Sequence, residues 1–185
     1  MIVLASASPR RKELLSLLTQ DFVVEPSHAD ETCDIKEASE LVRFLARKKA
    51  ADVFAKRPGD VVIGADTVVK APDGEIFGKP KDTADARRML KTLSGNTHTV
   101  YTGVCVMYGD KILEDVSGSE VRFAEISEAE LAKYLERESV MDKAGAYAVQ
   151  GGAAKFVKGI NGCFFNIVGL PVSMLYEMLT SLHVV

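Results

Sequence analysis

Residues 60–70, Asp-Val-Val-Ile-Gly-Ala-Asp-Thr-Val-Val-Lys, are apolar on both parities. A strand with one wet face alternates, so a run apolar on both sides reads as a central strand covered on both faces. Asp66 interrupts the run. A carboxylate there is costly to bury unless it is paired or binds a metal. Gly64 and Ala65 before it are small enough to let a ligand approach the backbone. The alternative is an Asp bonded to nearby backbone N–H groups, but a buried charge needs a partner and favours a functional role.

The N-terminal stretch carries a second anomaly. Met1–Leu4 reads as a short buried strand, Ala5–Ser8 as a small-residue turn, and Ser8-Pro9 as the cap and first residue of a helix. Leu14, Leu15, Leu17 and Leu18 give that helix its apolar face. A helix start favours acidic residues, yet its first turn holds Arg10, Arg11 and Lys12. Each cation there costs about 0.3–1 kcal/mol at low salt. Backbone N–H groups, small hydroxyls and two guanidiniums together make a phosphate site. The competing reading is a solvated basic surface.

Along the rest of the chain, strand and helix patterns alternate. Phe22–Glu25 reads as a strand and 26–34 as a polar loop containing Asp30 and Glu31. A helix over about 35–56 places Ala38, Leu41, Leu45, Lys49 and Val53 on one stripe. Lys49 therefore points inward or along a cleft wall, or else snorkels to water. Asp73-Gly74 and Gly109-Asp110 mark hairpin turns. Lys79 and Lys81 flank Pro80. A helix capped by Asp82 or Thr83 runs to about Leu93. Strands are expected over 98–108 and 112–124, the latter single or paired. A helix from Ser127 to about Arg137 opens on a capping box with Glu130. Residues 140–162 are rich in small side chains without a Walker loop. Residues 164–168 read as a strand, and Pro171 opens a last helix. The pattern argues one α/β domain with a mixed sheet.

Composition narrows the function. The net charge is −3, Trp is absent, and no aromatic-basic interleaving occurs, which argues against nucleic acid and membrane surfaces. Three cysteines and three histidines are scattered without metal-ligand or disulfide spacing. The short apolar start is too brief for a signal peptide or membrane span. The expectation is a soluble protein of a reducing compartment, hence the cytoplasm. Ser6, Arg10, Arg11, Glu31, Lys49, Asp66, Lys79 and Gln150 form the candidate polar set. Cations for phosphates beside carboxylates for a hard divalent metal suit phosphoryl chemistry on a nucleotide, with Mg²⁺ or Mn²⁺ rather than zinc.

Several motifs together resemble a known family. Ala5-Ser6-Ala7-Ser8-Pro9-Arg10-Arg11, Gly64-Ala65-Asp66-Thr67, Gly78-Lys79-Pro80, Leu93-Ser94-Gly95, Asp142-Lys143-Ala144-Gly145-Ala146-Tyr147 with Gln150-Gly151, and Val168-Gly169-Leu170-Pro171 are similar to the Maf (septum formation inhibitor) proteins. The resemblance covers nearly the whole chain and implies a single domain over 1–185. It implies a nucleoside triphosphate pyrophosphatase with a long, curved mixed sheet flanked by helices. Two lobes would enclose a central cleft, as in inosine triphosphate pyrophosphatases, and the protein would be a homodimer. By position it implies that Asp66 is the catalytic acid/base and that Ser6, Arg11, Lys49 and Lys79 bind substrate. Glu31 and Asp66 would hold the metal. Arg10, Thr67 and Gln150 match the specificity markers of the branch acting on dTTP and UTP rather than on 7-methyl-GTP. Asp30 stands where relatives often have a second glutamate. Modified pyrimidine nucleotides or CTP are neighbouring substrate readings, and a nucleotide-binding regulator of cell division is the distant one.

Overall fold

The computed structural model describes residues 1–185. A seven-stranded mixed sheet forms its centre. Strand β1 (Ile2–Leu4) lies parallel between β2 (Phe22–Val24) and β3 (Val61–Lys70). β3 then pairs antiparallel with β5 (Thr97–Tyr108), β5 with β6 (Lys111–Phe123), and β6 with β7 (Val157–Asn161). The two-residue β4 (Ile76–Phe77) pairs with the far end of β3.

The lengths of these strands create an opening. β5 covers one edge of β3 from Val62 to Lys70. On the other edge, β1 pairs only with Val61–Ile63 and β4 only with Val69 and Lys70. Residues 64–68 have no strand beside them there. Asp66 and Thr67 lie in this interval.

Helix α2 (Ala38–Phe54) covers one face of the sheet. Its backbone comes close because β3 and β5 present glycine to it. A methyl at Gly64 would meet Ala50 N at 2.7 Å and run into the Ala46 carbonyl; one at Gly103 would meet Arg43 N at 2.8 Å and run into the Val42 carbonyl. On the opposite face, α1 (Pro9–Leu15) and α6 (Val172–Ser181) share a core with Ile63, Ala65, Val104 and Val106. Farther along that face, α3 (Thr83–Leu93) and α4 (Glu128–Arg137) pack with Val69, Val100 and Val121.

Most elements expected from sequence form, with four differences. Helix α1 ends at Leu15, so Leu17, expected on its apolar face, lies past the helix and is exposed. Residues 164–168 form a short helix, α5 (Phe164–Val168), rather than a strand. Its aromatic and β-branched residues favour a strand locally, but tertiary contacts prevail: the buried Asn166 amide donates to Val100 O at 3.0 Å and Ser119 Oγ at 2.8 Å. The last strand of the sheet is instead Val157–Asn161, inside the small-residue stretch. The box at α4 is half made. Ser127 Oγ accepts the Glu130 N–H at 3.2 Å, while the Glu130 carboxylate turns to Lys155 at 2.5 Å.

His98 is buried on β5. Its Nε2 lies 2.6 Å from Tyr147 Oη, and Phe123 packs edge-on against its ring at 4.9 Å. Burial lowers its pKa from 6.5 to about 4.

Two measurements test this core. Gly64→Ala is expected to cost at least ~1–3 kcal/mol in chemical denaturation, since helix backbone must move to admit the methyl. Unchanged stability would show that α2 is not seated as described. Because folded His98 holds its proton less tightly than the unfolded chain, its neutral form stabilises the fold above pH 6.5. That contribution is lost as pH falls from 6.5 toward 4, by about 3 kcal/mol at most. His98→Phe is expected to flatten the slope of stability against pH over that interval.

Candidate active site

A cleft of about 1000 Å³ opens at the unpaired interval of β3. Ser6, Arg10, Arg11, Glu31, Lys49, Asp66, Thr67, Lys79 and Gln150 all line it. The charged side chains on its wall are Arg10, Arg11, Lys49, Lys79 and Lys143 against Glu31, Asp66 and Asp142. Five cations thus face three carboxylates in a chain whose net charge is −3. The field in the cleft favours an anionic ligand.

Strand alternation divides the wall. Asp66 shares the parity of Gly64 and turns toward α2; Thr67 turns the other way. The stripe on α2 carries Lys49 to the same place, where Nζ sits 2.6 Å from Asp66 Oδ1 and 3.1 Å from Glu31 Oε1. The Asp66 and Lys49 side chains are 11% and 15% exposed, whereas Glu31 is 55% exposed. One cation therefore compensates a buried acid and tethers an exposed loop acid beside it. That loop is pinned by Asp52 on α2, which accepts from Ser27 Oγ at 2.9 Å and from the His28 N–H at 2.8 Å. Asp30 is not on the cleft wall. It accepts the Thr32 N–H at 3.0 Å, and this bond holds its pKa below the usual carboxylate value.

The basic first turn of α1 is resolved by partners far away in sequence. Arg10 Nη1 lies 2.9 Å from Asp142 Oδ2, and its Nη2 donates to the Asp142 carbonyl at 3.2 Å. Lys143 Nζ holds the other Asp142 oxygen at 2.8 Å. Burial pushes the Asp142 pKa up, but the hydrogen bonds from Lys143 and Arg10 and their charges outweigh it, leaving about 2. Arg11 crosses the cleft floor. Its Nε donates to Gly169 O at 2.9 Å, Nη1 to Ser6 Oγ at 3.2 Å and Nη2 to Thr67 Oγ1 at 3.0 Å. Burial lowers its pKa, with Asp66 and Glu31 acting in the opposite sense. Ser8 caps α1 through the Arg11 N–H. Lys79 and Gln150 stand exposed at the rim.

Sequence reading did not assign roles to Asp142, Lys143, Thr102 or Asn166. Asp142 and Lys143 open the motif that runs to Tyr147, but nothing local shows which cation Asp142 meets. Thr102 is visible only once β3 and β5 are in register.

Glu31 and Asp66 are hard oxygen donors, and no group of three or more His, Cys, Asp or Glu is arranged to hold a metal alone. Two carboxylates fit Mg²⁺ or Mn²⁺ if phosphate oxygens and water complete the shell.

The fold and site define an α/β domain with a cation-rich cleft built at a gap in its sheet. A solved structure of the Ham1 protein of Staphylococcus aureus shares this fold, with a TM-score of 0.54, 14% identity, and coverage of 97% of this chain and 98% of that one. The family described as Maf-like protein matches residues 1–182, and the chain belongs to it. Relatives named dTTP/UTP pyrophosphatase include one from Koribacter versatilis, 47% identical over 96% of this chain and 92% of its own length. Others are from Thermococcus gammatolerans, 46% identical over 96% and 95%, and Clostridium perfringens, 45% identical over 96% and 95%.

Breaking the central pair tests its geometry. Lys49→Met strands a buried carboxylate and is expected to cost about 2–3 kcal/mol, somewhat below the loss for a fully buried pair because the cleft admits water. Adding Asp66→Asn should recover much of it. Equal losses in single and double variants, by denaturant unfolding, would rule out the pair as the source.

Proposed function

We propose that the protein is a nucleoside triphosphate pyrophosphatase acting on dTTP and UTP. It converts each to the nucleoside monophosphate and pyrophosphate. The observation that carries this reading is the convergence of Asp66, Lys49 and Glu31 with Arg11 in one cleft. The names of relatives at 45–47% identity support the substrate class.

In this reading Ser6, Arg11, Lys49 and Lys79 bind the triphosphate. Lys49 exchanges Asp66 for a phosphate oxygen as substrate enters, which frees the Asp66 carboxylate. Asp66 takes a proton from water as the water oxygen bonds to the α-phosphorus. The bond from that phosphorus to the bridging oxygen breaks, and its electron pair leaves with pyrophosphate. The cations stabilise the charge that builds on the leaving group. Glu31 and Asp66 would hold Mg²⁺ or Mn²⁺, which when bound supplies further charge neutralisation of the phosphates. Arg10, Thr67 and Gln150 set specificity. The Gln150 amide offers a donor and an acceptor to a pyrimidine edge.

The same proposal places the protein in the cytoplasm as a homodimer. Its three unpaired cysteines fit a reducing compartment. Ile160 on the edge strand β7, with Phe164 and Phe165 nearby in sequence, offers exposed apolar surface. No helix is long and apolar enough to cross a membrane.

Pyrophosphate release is expected with dTTP and UTP in the presence of Mg²⁺ or Mn²⁺, and to stop on chelation. Asp66→Asn should lower kcat at least ~10²-fold. Turnover that survives chelation refutes the metal, and near-wild-type kcat in Asp66→Asn refutes the base. Nucleotide binding without turnover would favour the regulatory reading.

A further inference from the structure

Thr67 and Thr102 are register partners on β3 and β5, and their hydroxyls meet at 2.8 Å. Thr102 is fully buried and lies outside the cleft wall, so it touches no ligand there. Counting protons fixes the direction of the bonds between them. Thr102 Oγ1 lies 3.0 Å from the Asn166 carbonyl, which can only accept, so Thr102 commits its one proton there. Thr67 must then donate to Thr102. With its proton committed, Thr67 can only accept from Arg11 Nη2, the one role a guanidinium can meet. The relay runs Arg11 to Thr67 to Thr102 to the Asn166 carbonyl, in one sense only.

Its far end is rigid. The Asn166 amide is fixed to Val100 O and Ser119 Oγ. Ser119 Oγ also accepts the Cys163 N–H at 2.9 Å and donates to the Cys163 carbonyl at 3.1 Å. The second anchor of Arg11, the Gly169 carbonyl, directly follows the same short helix α5. Of the five N–H donors of a guanidinium, Arg11 commits three, to Gly169, Ser6 and Thr67. One N–H remains on each terminal nitrogen, a pair suited to two oxygens of one phosphate.

We propose that the Thr67–Thr102 pair, seated on the Asn166 carbonyl, is the device that orients Arg11 for the polyphosphate, with Thr102 as a positioning residue. This rests on the reading that Arg11 binds substrate phosphate. It gives Thr67 a role at the phosphate end of the cleft, beyond its use as a marker of base preference. In Thr102→Val the carbonyl of Asn166 loses its donor, and the Thr67 proton loses the acceptor that kept the lone pair facing Arg11.

The test is calorimetric binding of inorganic tripolyphosphate to the full chain with Mg²⁺ present, beside melting temperature. Thr102→Val is expected to weaken binding about five- to tenfold, the loss of one oriented charged hydrogen bond. Thr102→Ser, which keeps the hydroxyl, should restore most of it. In an Arg11→Ala background, Thr102→Val should add less than about twofold, because its effect passes through Arg11. Wild-type affinity in Thr102→Val, an equal loss in both backgrounds, or no binding by the wild-type chain would each overturn the proposal. If Thr102→Val does not fold, Thr67→Val takes its place in the same cycle. Tripolyphosphate binding is read without turnover, so a wild-type chain that binds it and hydrolyses no nucleotide refutes the pyrophosphatase reading and leaves the relay to be judged on its own.

Discussion

The close approach of α2 to β3 and β5 sets everything else in place. Gly64 and Gly103 remove the side chains that would hold the helix off the sheet. Contact at that distance brings Lys49 within 2.6 Å of Asp66. Larger residues at the two glycines would lift the helix and leave a carboxylate in a run of apolar side chains without its cation. The buried acid, the lysine stripe and the two glycines thus form one constraint spread over three elements.

The electrostatics follow from how the cations are shared out. Arg10 is not a free charge: Asp142 engages both of its terminal nitrogens, and Lys143 engages Asp142 in turn. Arg11 has no carboxylate within salt-bridge distance. It is held by a carbonyl and two hydroxyls, so its charge is positioned without being cancelled. Lys49 is between these cases, held by acids that an incoming phosphate can replace. The unfavourable first turn of α1 is tolerated for a related reason. The helix has only seven residues, so its dipole is weak, and both guanidiniums extend away to partners on other elements.

What the sequence makes legible is what depends on periodicity. The β3 run reads as a central strand because burial on both faces leaves no alternation, and the α2 stripe places Lys49 on the inward side. The unlikely charges at Asp66 and in the first turn of α1 mark the cleft because each demands a partner. Helix α5 was hidden because its strand-like composition is overruled by a single amide bonded to two other strands. Thr102 and Asp142 were hidden because their partners lie 35 and 132 residues away: the register of β3 on β5 brings Thr102 to Thr67, and the packing of a loop against α1 brings Asp142 to Arg10.

Asp66 and Thr67 are neighbours in sequence but face opposite sides of β3, and this division organises the cleft. The acid looks toward α2 and Lys49; the hydroxyl looks toward Arg11 and α5. A slip of one residue in the pairing of β3 would exchange the two, placing a carboxylate against Arg11 and a threonine under Lys49. The register is protected by the unbroken ladder with β5 from Val62 to Lys70, while the opposite edge stays open onto the cleft. A strand paired fully on one edge and only at its ends on the other can be both the rigid centre of the sheet and the wall of the site. Chemistry at residues 66 and 67 is therefore compatible with a stable fold because the opening that exposes them removes only one of the two ladders that hold them.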